Sequence, residues 1–378
     1  MLFTDIPNQA AVKQLLRQSV ARQHVAHAQL FRGREGGAAL ALALAYAQFL
    51  NCEDRAADAA DSCGRCPACT KIAKLAHPDL NFIMPVTTTK TVAKDAVSSK
   101  FMAEWRTFVL DNPYQGLNGW MQHIGAENKQ GNISKDEAVQ VLKLVSLKAF
   151  EARFKIVIIW LPELMHPAAA NAVLKLLEEP PPATIFLLVS HAPEQLLPTI
   201  ISRVQSVVVR PFSEDDITAY LRDEYQIPEV KARQVAQLAE GSLGAAIASR
   251  EANADHDYFE FFRDWMRLCF SYGSKAADIL KKSEEFQKLG RENQKELLSY
   301  SLGLVRKVLL FGIDPKFVPH LAIGEQQFVT GFAKFVTLRN ADLLTKELTD
   351  AHYHIERNAN AKMVFVDSSL RLGGFLKV

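Results

Sequence analysis

The chain has 378 residues, 48% of them hydrophobic and 23% charged, with a formal net charge of +2. This length predicts two or three domains with a sizeable core, and the near-balanced charge argues against a globally basic nucleic-acid binder, so any DNA contact must come from a local patch. No apolar run approaches the ~20 residues that span a bilayer and no basic-then-apolar leader is visible, which gives the expectation of a cytoplasmic protein with no membrane partner.

Residues 9–23 place Ala11, Val12, Leu15, Leu16 and Val20 on one face and read as an amphipathic helix. Residues 27–31 (HAQLF) read as a short buried strand. Gly33, Gly36 and Gly37 make a turn, and the Ala/Leu run over 38–50 reads as a helix. Strand, glycine turn and helix form the local frame of a phosphate-binding loop. A working loop reads G-x-x-x-x-G-K-[ST]; its lysine neutralises the terminal phosphates and its hydroxyl holds magnesium. Counting from Gly33, this chain supplies Ala38, Ala39 and Leu40 instead. The frame survives without the chemistry, so no functional ATP site is expected. The alternative is a glycine turn that never had a phosphate role.

Four of the five cysteines, Cys52, Cys63, Cys66 and Cys69, lie within eighteen residues in a C-x10-C-x2-C-x2-C pattern. Short C-x2-C steps let one loop present successive thiolates to a tetrahedral ion, and four ligands close a structural zinc site. A redox C-x2-C pair and unliganded thiols are the alternatives. Cys269 stands alone in an apolar helical pattern and reads as core.

Residues 80–85 read as a strand. The polar stretch 86–132 reads mainly as an inserted or mobile loop with a helix near 101–110. Ser134 and Glu137 then form a capping-box signature before a helix carrying Val141, Leu142, Val145 and Ala149. On that helix and just after it, Lys135, Lys143 and Lys148 could meet DNA phosphates or simply be a solvated face. Residues 155–161 (KIVIIWL) suit a central parallel strand buried on both faces. Hydrolytic nucleotide-binding proteins end this strand in an acidic pair for magnesium and the attacking water. Here Trp160 and Leu161 stand in its place, and Glu163, two residues on, reads as a solvated carboxylate. A helix over 167–179 is stopped by Pro180, Pro181 and Pro182. Strands follow over 185–190 and 204–209, with His166 and His191 at strand ends as surface histidines. This alternation implies a parallel, doubly wound sheet. Residues 214–249 are helical in short units closing at Gly241 and Gly244, and everything from 255 onward is helical.

The stretch 170–181 (ANAVLKLLEEPP) resembles the NALLKxLEEPP signature of clamp-loader subunits, members of the AAA+ family. Residues 197–203 (LPTIISR) resemble their Ser-Arg-Cys motif, with Val204 in place of the cysteine. The HAQLF strand, Cys66 to Cys69, His77-Pro78-Asp79 and, near the C-terminus, 357–360 (RNAN) add to the likeness. The resemblance implies an AAA+ ATPase-like α/β domain over 1–210 with an embedded zinc loop at about 52–69. It implies a small helical lid over 211–252 and a helical collar over 253–378. It also implies a G-S-x-R arginine on the lid, where this chain has Gly241-Ser242-Leu243-Gly244. Lysine, acidic pair and lid arginine are therefore all absent, which points to a non-hydrolytic stator rather than a motor. The implied partners are motor (gamma/tau) and delta subunits, the sliding clamp and primer–template DNA. Arg203 of the Ser-Arg motif is implied to act in trans on a neighbour's ATP; a salt bridge that merely fixes its segment is the alternative. An ATP-hydrolysing motor subunit and a stand-alone zinc-dependent nucleic-acid module are the rival functions.

Overall fold

A computed structural model of the chain describes all residues except 57, 127–128, 147, 253–257, 274, 319–322 and 378; the side chains of 138–139, 142–144, 146, 234, 238, 250–252, 292, 296 and 323–324 also lie outside the description. The chain forms two compact units, Met1–Ala248 and Ser249–Val378. Among the described residues, no helix is long and apolar enough to cross a membrane.

The first unit is built on five parallel strands: β1 (Ala28–Arg32), β2 (Leu80–Ile83), β3 (Lys155–Trp160), β4 (Thr184–Ser190) and β5 (Gln205–Val208), in the order β2-β3-β4-β1-β5. Lys155 pairs with Thr184, Ala28 with Phe186 and Leu80 with Ile156. Every residue of β3 and β4 is buried, as a strand covered on both faces requires. The two-residue period of a strand sorts these side chains into two cores. Ile156, Ile158 and Trp160 face one apolar cluster; Val157 and Ile159 face the other.

The first cluster is closed by α1 (Ala10–Ala21), α2 (Ala39–Leu50), α3 (Pro67–Ala73), α4 (Met102–Asp111) and α5 (Leu117–His123). The second is closed by α6 (Lys135–Ser146), α7 (Pro167–Glu178) and the short α8 (Pro198–Ile201). All twelve residues of α2 are buried. The helices α9 (Glu214–Tyr225), α10 (Glu229–Leu238) and α11 (Leu243–Ala252) contribute Ile217, Leu221, Val235 and Leu243 to the first cluster. Ser213 and Asp216 cap α9 reciprocally.

Three expectations are corrected. The stretch 86–132 is not mainly loop. It carries a 3₁₀ turn (Ser98–Phe101), α4 and α5, and buries Trp105 and Trp120 at 5.2 Å between ring centres. The strand ends are shorter than the apolar runs. β3 stops at Trp160 because Leu161 adopts φ +55°, a left-handed turn that leaves the sheet. Glu163 is half-buried rather than freely solvated.

The second unit is helical: α12 (Tyr258–Phe270), α13 (Ala276–Lys288), α14 (Arg291–Ile313), α15 (Ile323–Phe332), α16 (Ala341–Glu356) and α17 (Ala361–Phe375). The buried stripe of α12 is Phe262, Trp265, Met266 and Cys269, at helical spacing. Trp265 stacks on Phe365 and donates its indole N–H to Ser369 at 2.8 Å. Cys269 is core, and burial pushes its thiol up to about 12. The 357–360 segment forms the turn between α16 and α17, where the Asn360 side chain caps α17 by accepting from the Met363 N–H. The chain therefore combines an AAA+-like parallel α/β sheet domain with an all-α C-terminal region, as the motifs implied.

Candidate functional sites: a closed glycine loop, a cysteine cluster and a rim arginine

The glycine loop leaves the C-terminal end of β1 and enters α2. Gly33 donates to the Ser190 carbonyl at 3.2 Å and Gly37 to the Arg34 carbonyl at 3.1 Å, while Gly36 takes φ +76°. Ala38, Ala39 and Leu40 are buried. The outer face of the loop is covered by protein backbone. The Gly244 N–H at the start of α11 donates to the Gly36 carbonyl at 3.0 Å, and Arg34 donates to the Glu240 carbonyl at 2.9 Å. A side chain at Gly36 would collide with Ser242, one at Gly244 with the Tyr114 carbonyl, and one at Gly116 with the Glu35 carboxylate. At Gly244 nothing larger fits because the neighbours are the backbones of Tyr114 and Gly36, whereas at Gly36 and Gly116 a neighbouring side chain takes the space. The Tyr114 ring also packs edge-on against Phe212 and Tyr220.

At the end of β3, the Trp160 ring centre lies 5.1 Å from that of Trp105 and 6.3 Å from that of Phe108, in a buried aromatic cluster. Glu163 accepts from the backbone N–H groups of His191 (2.9 Å) and Ala192 (3.1 Å), so it ties two strand ends together. Burial holds the His191 imidazole below the ordinary histidine range, with the Glu35 charge pulling the other way. His166 caps α7 through its ring nitrogen, which accepts from Ala168 at 3.2 Å.

The four clustered cysteines converge. The Sγ atoms of Cys52, Cys63, Cys66 and Cys69 all lie within 4.8 Å of one another, and Cys63 and Cys69 are 3.9 Å apart. Four thiolates around an ion with ~2.3 Å metal–sulfur bonds would stand about 3.8 Å apart, so the residues fit a tetrahedral site. Local structure places them. Gly64 turns with φ +71°, Cys66 caps α3, and Pro67 opens that helix. Successive backbone N–H groups point at the sulfurs: Cys63 to Cys52 (3.2 Å), Cys66 to Cys63 (3.3 Å) and Cys69 to Cys66 (3.4 Å). Burial alone would raise the Cys63 thiol, but backbone donors from Arg65 and Cys66 bring it down to about 7. Burial raises Cys52 and Cys69. Such donors stabilise sulfur in its anionic, ligand form. The set can bind a metal such as zinc.

Arg203 sits just beyond α8 on the rim of the sheet domain, exposed, and pairs with Glu178 at 2.8 Å. Lys135 and Lys148 are exposed; the Lys143 side chain lies outside the described residues.

A family model described as "DNA polymerase III, delta subunit" matches residues 8–213, more than half of the chain. The chain belongs to this family. It is 27% identical over 242 residues to the DNA polymerase III subunit delta' of Bacillus subtilis, covering 64% of this chain and 59% of that protein. Its identity to the subunit delta' of Pseudomonas aeruginosa is 33% over 189 residues, 50% of this chain and 44% of that protein. The subunit tau of Bacillus subtilis is 23% identical over 251 residues, 65% of this chain and 36% of that protein. The chain thus aligns with about half the length of the delta' relatives. They mark it as a delta-prime type clamp-loader subunit; the chain is also similar to a tau subunit, over a smaller share of that protein's length.

Of the residues singled out in the sequence, the structure brings the four cysteines together and puts the glycine loop against Gly244. Sequence reasoning missed the partners: Tyr114, Gly116 and Glu35 at the loop, and Glu178 at Arg203. The first three sit in or against the stretch taken as loop. Its apolar periodicity, Phe101, Trp105, Phe108 and Val109 followed by Leu117, Trp120, Met121 and Ile124, was the available signal.

Proposed function

We propose that this chain is the non-hydrolytic stator of a DNA polymerase III clamp loader. In that assembly motor (gamma/tau) subunits and a delta subunit use ATP to load the sliding clamp onto primed DNA. The observation that carries the reading is the closed glycine loop. Its lysine and hydroxyl positions are Ala39 and Leu40, its acidic pair is Trp160 and Leu161, and Gly244 packs backbone to backbone against Gly36 where a lid arginine would stand. A phosphate held there would meet neither a cation nor a magnesium ligand. The domain layout that fits this role is a sheet domain over 1–210, a lid over 211–252 and a collar over 253–378.

The cysteine loop holds one structural zinc on Cys52, Cys63, Cys66 and Cys69, closed to water and without a part in ATP chemistry. Arg203 completes a neighbour's ATP site, offering a cation to charge developing on the transferred phosphoryl group. Fingers of this kind contribute on the order of 10³–10⁵ in rate in the GTPases where they are best known.

The test is a calorimetric titration of the purified chain with Mg·ATP, beside reconstitution with gamma/tau and delta subunits. No saturable binding by the chain alone, and stable incorporation into a complex that loads the clamp, is expected. Saturable binding with turnover makes the chain a motor subunit. Salt-dependent DNA binding by the isolated chain, with no incorporation, makes it a nucleic-acid module.

A further inference from the structure

Arg203 is already engaged. One guanidinium nitrogen donates to the Thr199 carbonyl at 2.9 Å and the Ser202 hydroxyl at 3.1 Å, and the other meets the Glu178 carboxylate at 2.8 Å. The first two acceptors belong to its own short segment, so the side chain folds back along α8 instead of extending from the rim. The third belongs to the last residue of α7, whose position is fixed by the burial of Leu176 and Leu177 immediately before it. We propose that Glu178 is a positioning residue that parks Arg203 on its own subunit and holds it off the neighbouring nucleotide until the assembly engages clamp and DNA. This rests on the in-trans role of Arg203 proposed above.

The strength of the pair suits a latch. Both side chains are substantially exposed, 36% for Arg203 and 43% for Glu178. Water screens such a pair, and exposed ion pairs bias an equilibrium by only about 1.5- to fivefold. A nucleotide phosphate carries more charge than one carboxylate and offers several acceptor oxygens to the planar fork of arginine. Once a neighbour's phosphate comes within reach it therefore outcompetes Glu178. Before that, the carboxylate keeps the parked conformer in excess. Glu178 thus lowers the unstimulated rate and leaves the stimulated rate nearly untouched.

The experiment uses the complete complex, reconstituted with gamma/tau and delta subunits, and measures ATP hydrolysis with and without clamp and primed DNA. Glu178→Gln keeps the shape and removes the charge. It should raise the rate without DNA and clamp about 1.5- to fivefold and leave the stimulated rate within about twofold, so the stimulation ratio falls. The rise should vanish in the Glu178→Gln/Arg203→Ala double variant, which should match Arg203→Ala alone. If Glu178→Gln leaves the unstimulated rate unchanged or lowers it while Arg203→Ala lowers the stimulated rate, parking is wrong and the finger stands. If the rise persists in the double variant, it does not run through Arg203 and parking is again wrong. If Arg203→Ala matches wild type at equal assembly, both readings fall and the pair only fastens its segment. In that case Glu178→Gln should lower the melting temperature and leave the stimulation ratio alone.

Discussion

Replacing Gly244 by alanine probes the contact between lid and glycine loop. In an unconstrained helix this change stabilises by about 0.5–1 kcal/mol, because glycine loses the most backbone freedom on folding. Here the sign should reverse. A Cβ at 244 would collide with the Tyr114 carbonyl oxygen and come within 3.0 Å of both the Tyr114 carbonyl carbon and the Gly36 Cα. These are backbone atoms, so relief requires moving a chain segment and not rotating a side chain. Overpacking of this kind costs about 1–3 kcal/mol. Losing the hydrogen bond from the Gly244 N–H to the Gly36 carbonyl adds about 0.5–1.5 kcal/mol. After the propensity gain, a net loss near 2 kcal/mol remains, which lowers the melting temperature of a unit this size by about 4–8 °C. Tryptophan fluorescence is a fitting probe, because Trp105, Trp120 and Trp160 share one cluster in the first unit and only Trp265 lies in the second. Gly303→Ala is the control, since nothing lies within 4 Å of a Cβ at that position on α14. It should leave melting unchanged or raise it. Gly244→Ala melting at or above wild type would refute the reasoning.

Restoring one acidic residue should not restore activity. Trp160→Asp buries an unpaired carboxylate in a fully enclosed aromatic cluster; a loss of at least about 3–5 kcal/mol and no ATP turnover are expected, read by thermal melting and a hydrolysis assay. Asp79 supplies a pH signature. Burial alone would raise its carboxyl, but N–H donors from Glu151, Ala152 and Phe150 at 2.7–2.9 Å hold it below the ordinary carboxylate value. A depressed folded value means the stabilisation is present above the unfolded pKa of about 4 and is lost as pH falls through the folded one. Asp79→Asn should therefore cost about 1–3 kcal/mol at pH 7 and flatten the acid limb of a stability–pH curve; an unchanged limb would count against the three-donor account. Freshly purified protein should carry one zinc per chain by mass spectrometry, and Cys66→Ser should lose it with local destabilisation around α3. A zinc-free preparation with four titratable thiols in the loop would sink the metal assignment.

How much was legible follows from how local each signal is. The cysteine cluster was readable because its ligands lie in one loop, so spacing nearly determines geometry. The buried strands were readable because β3 and β4 carry unbroken apolar runs, 156–160 and 185–189, as strands covered on both faces do. In the stretch 86–132 the helix near 101–110 was legible and is α4, but the average polarity hid α5, whose apolar residues fall at i, i+3, i+4 spacing, and led the stretch to be read mainly as loop. Trp105 and Trp120 are core only because Trp160 waits for them on the sheet. Arg203 and Glu178 lie 25 residues apart in sequence, in separate motifs with a strand between them. Their pairing is a product of the parallel sheet, and no local pattern encodes it.

If, as proposed, the chain has no nucleotide chemistry, the same contacts give a reason for it to keep the frame. In a nucleotide-binding protein, ligand contacts that differ between open and closed states set the lid equilibrium, and closure follows concentration. A ligand at a hundredfold its Kd contributes about 2.7 kcal/mol to the state it binds. On the proposed reading, that contribution is replaced by protein contacts: the Gly36–Gly244 backbone bond, Tyr114 beneath α11, Arg34 on the Glu240 carbonyl, and lid residues Ile217, Leu221, Val235 and Leu243 in the shared core. None of these depends on ATP concentration. Their combined effect is at least as large as the ligand term, because one good backbone hydrogen bond nets about 1 kcal/mol and each buried aliphatic side chain about 1.5–3 kcal/mol. On the same reading, the lid would stay closed through every cycle of its neighbours. On the proposed reading, a cationic side chain on the rim, such as Arg203, would then be presented from a base that does not move when ATP is bound or spent elsewhere, and its position would be set by the local competition between Glu178 and an approaching phosphate.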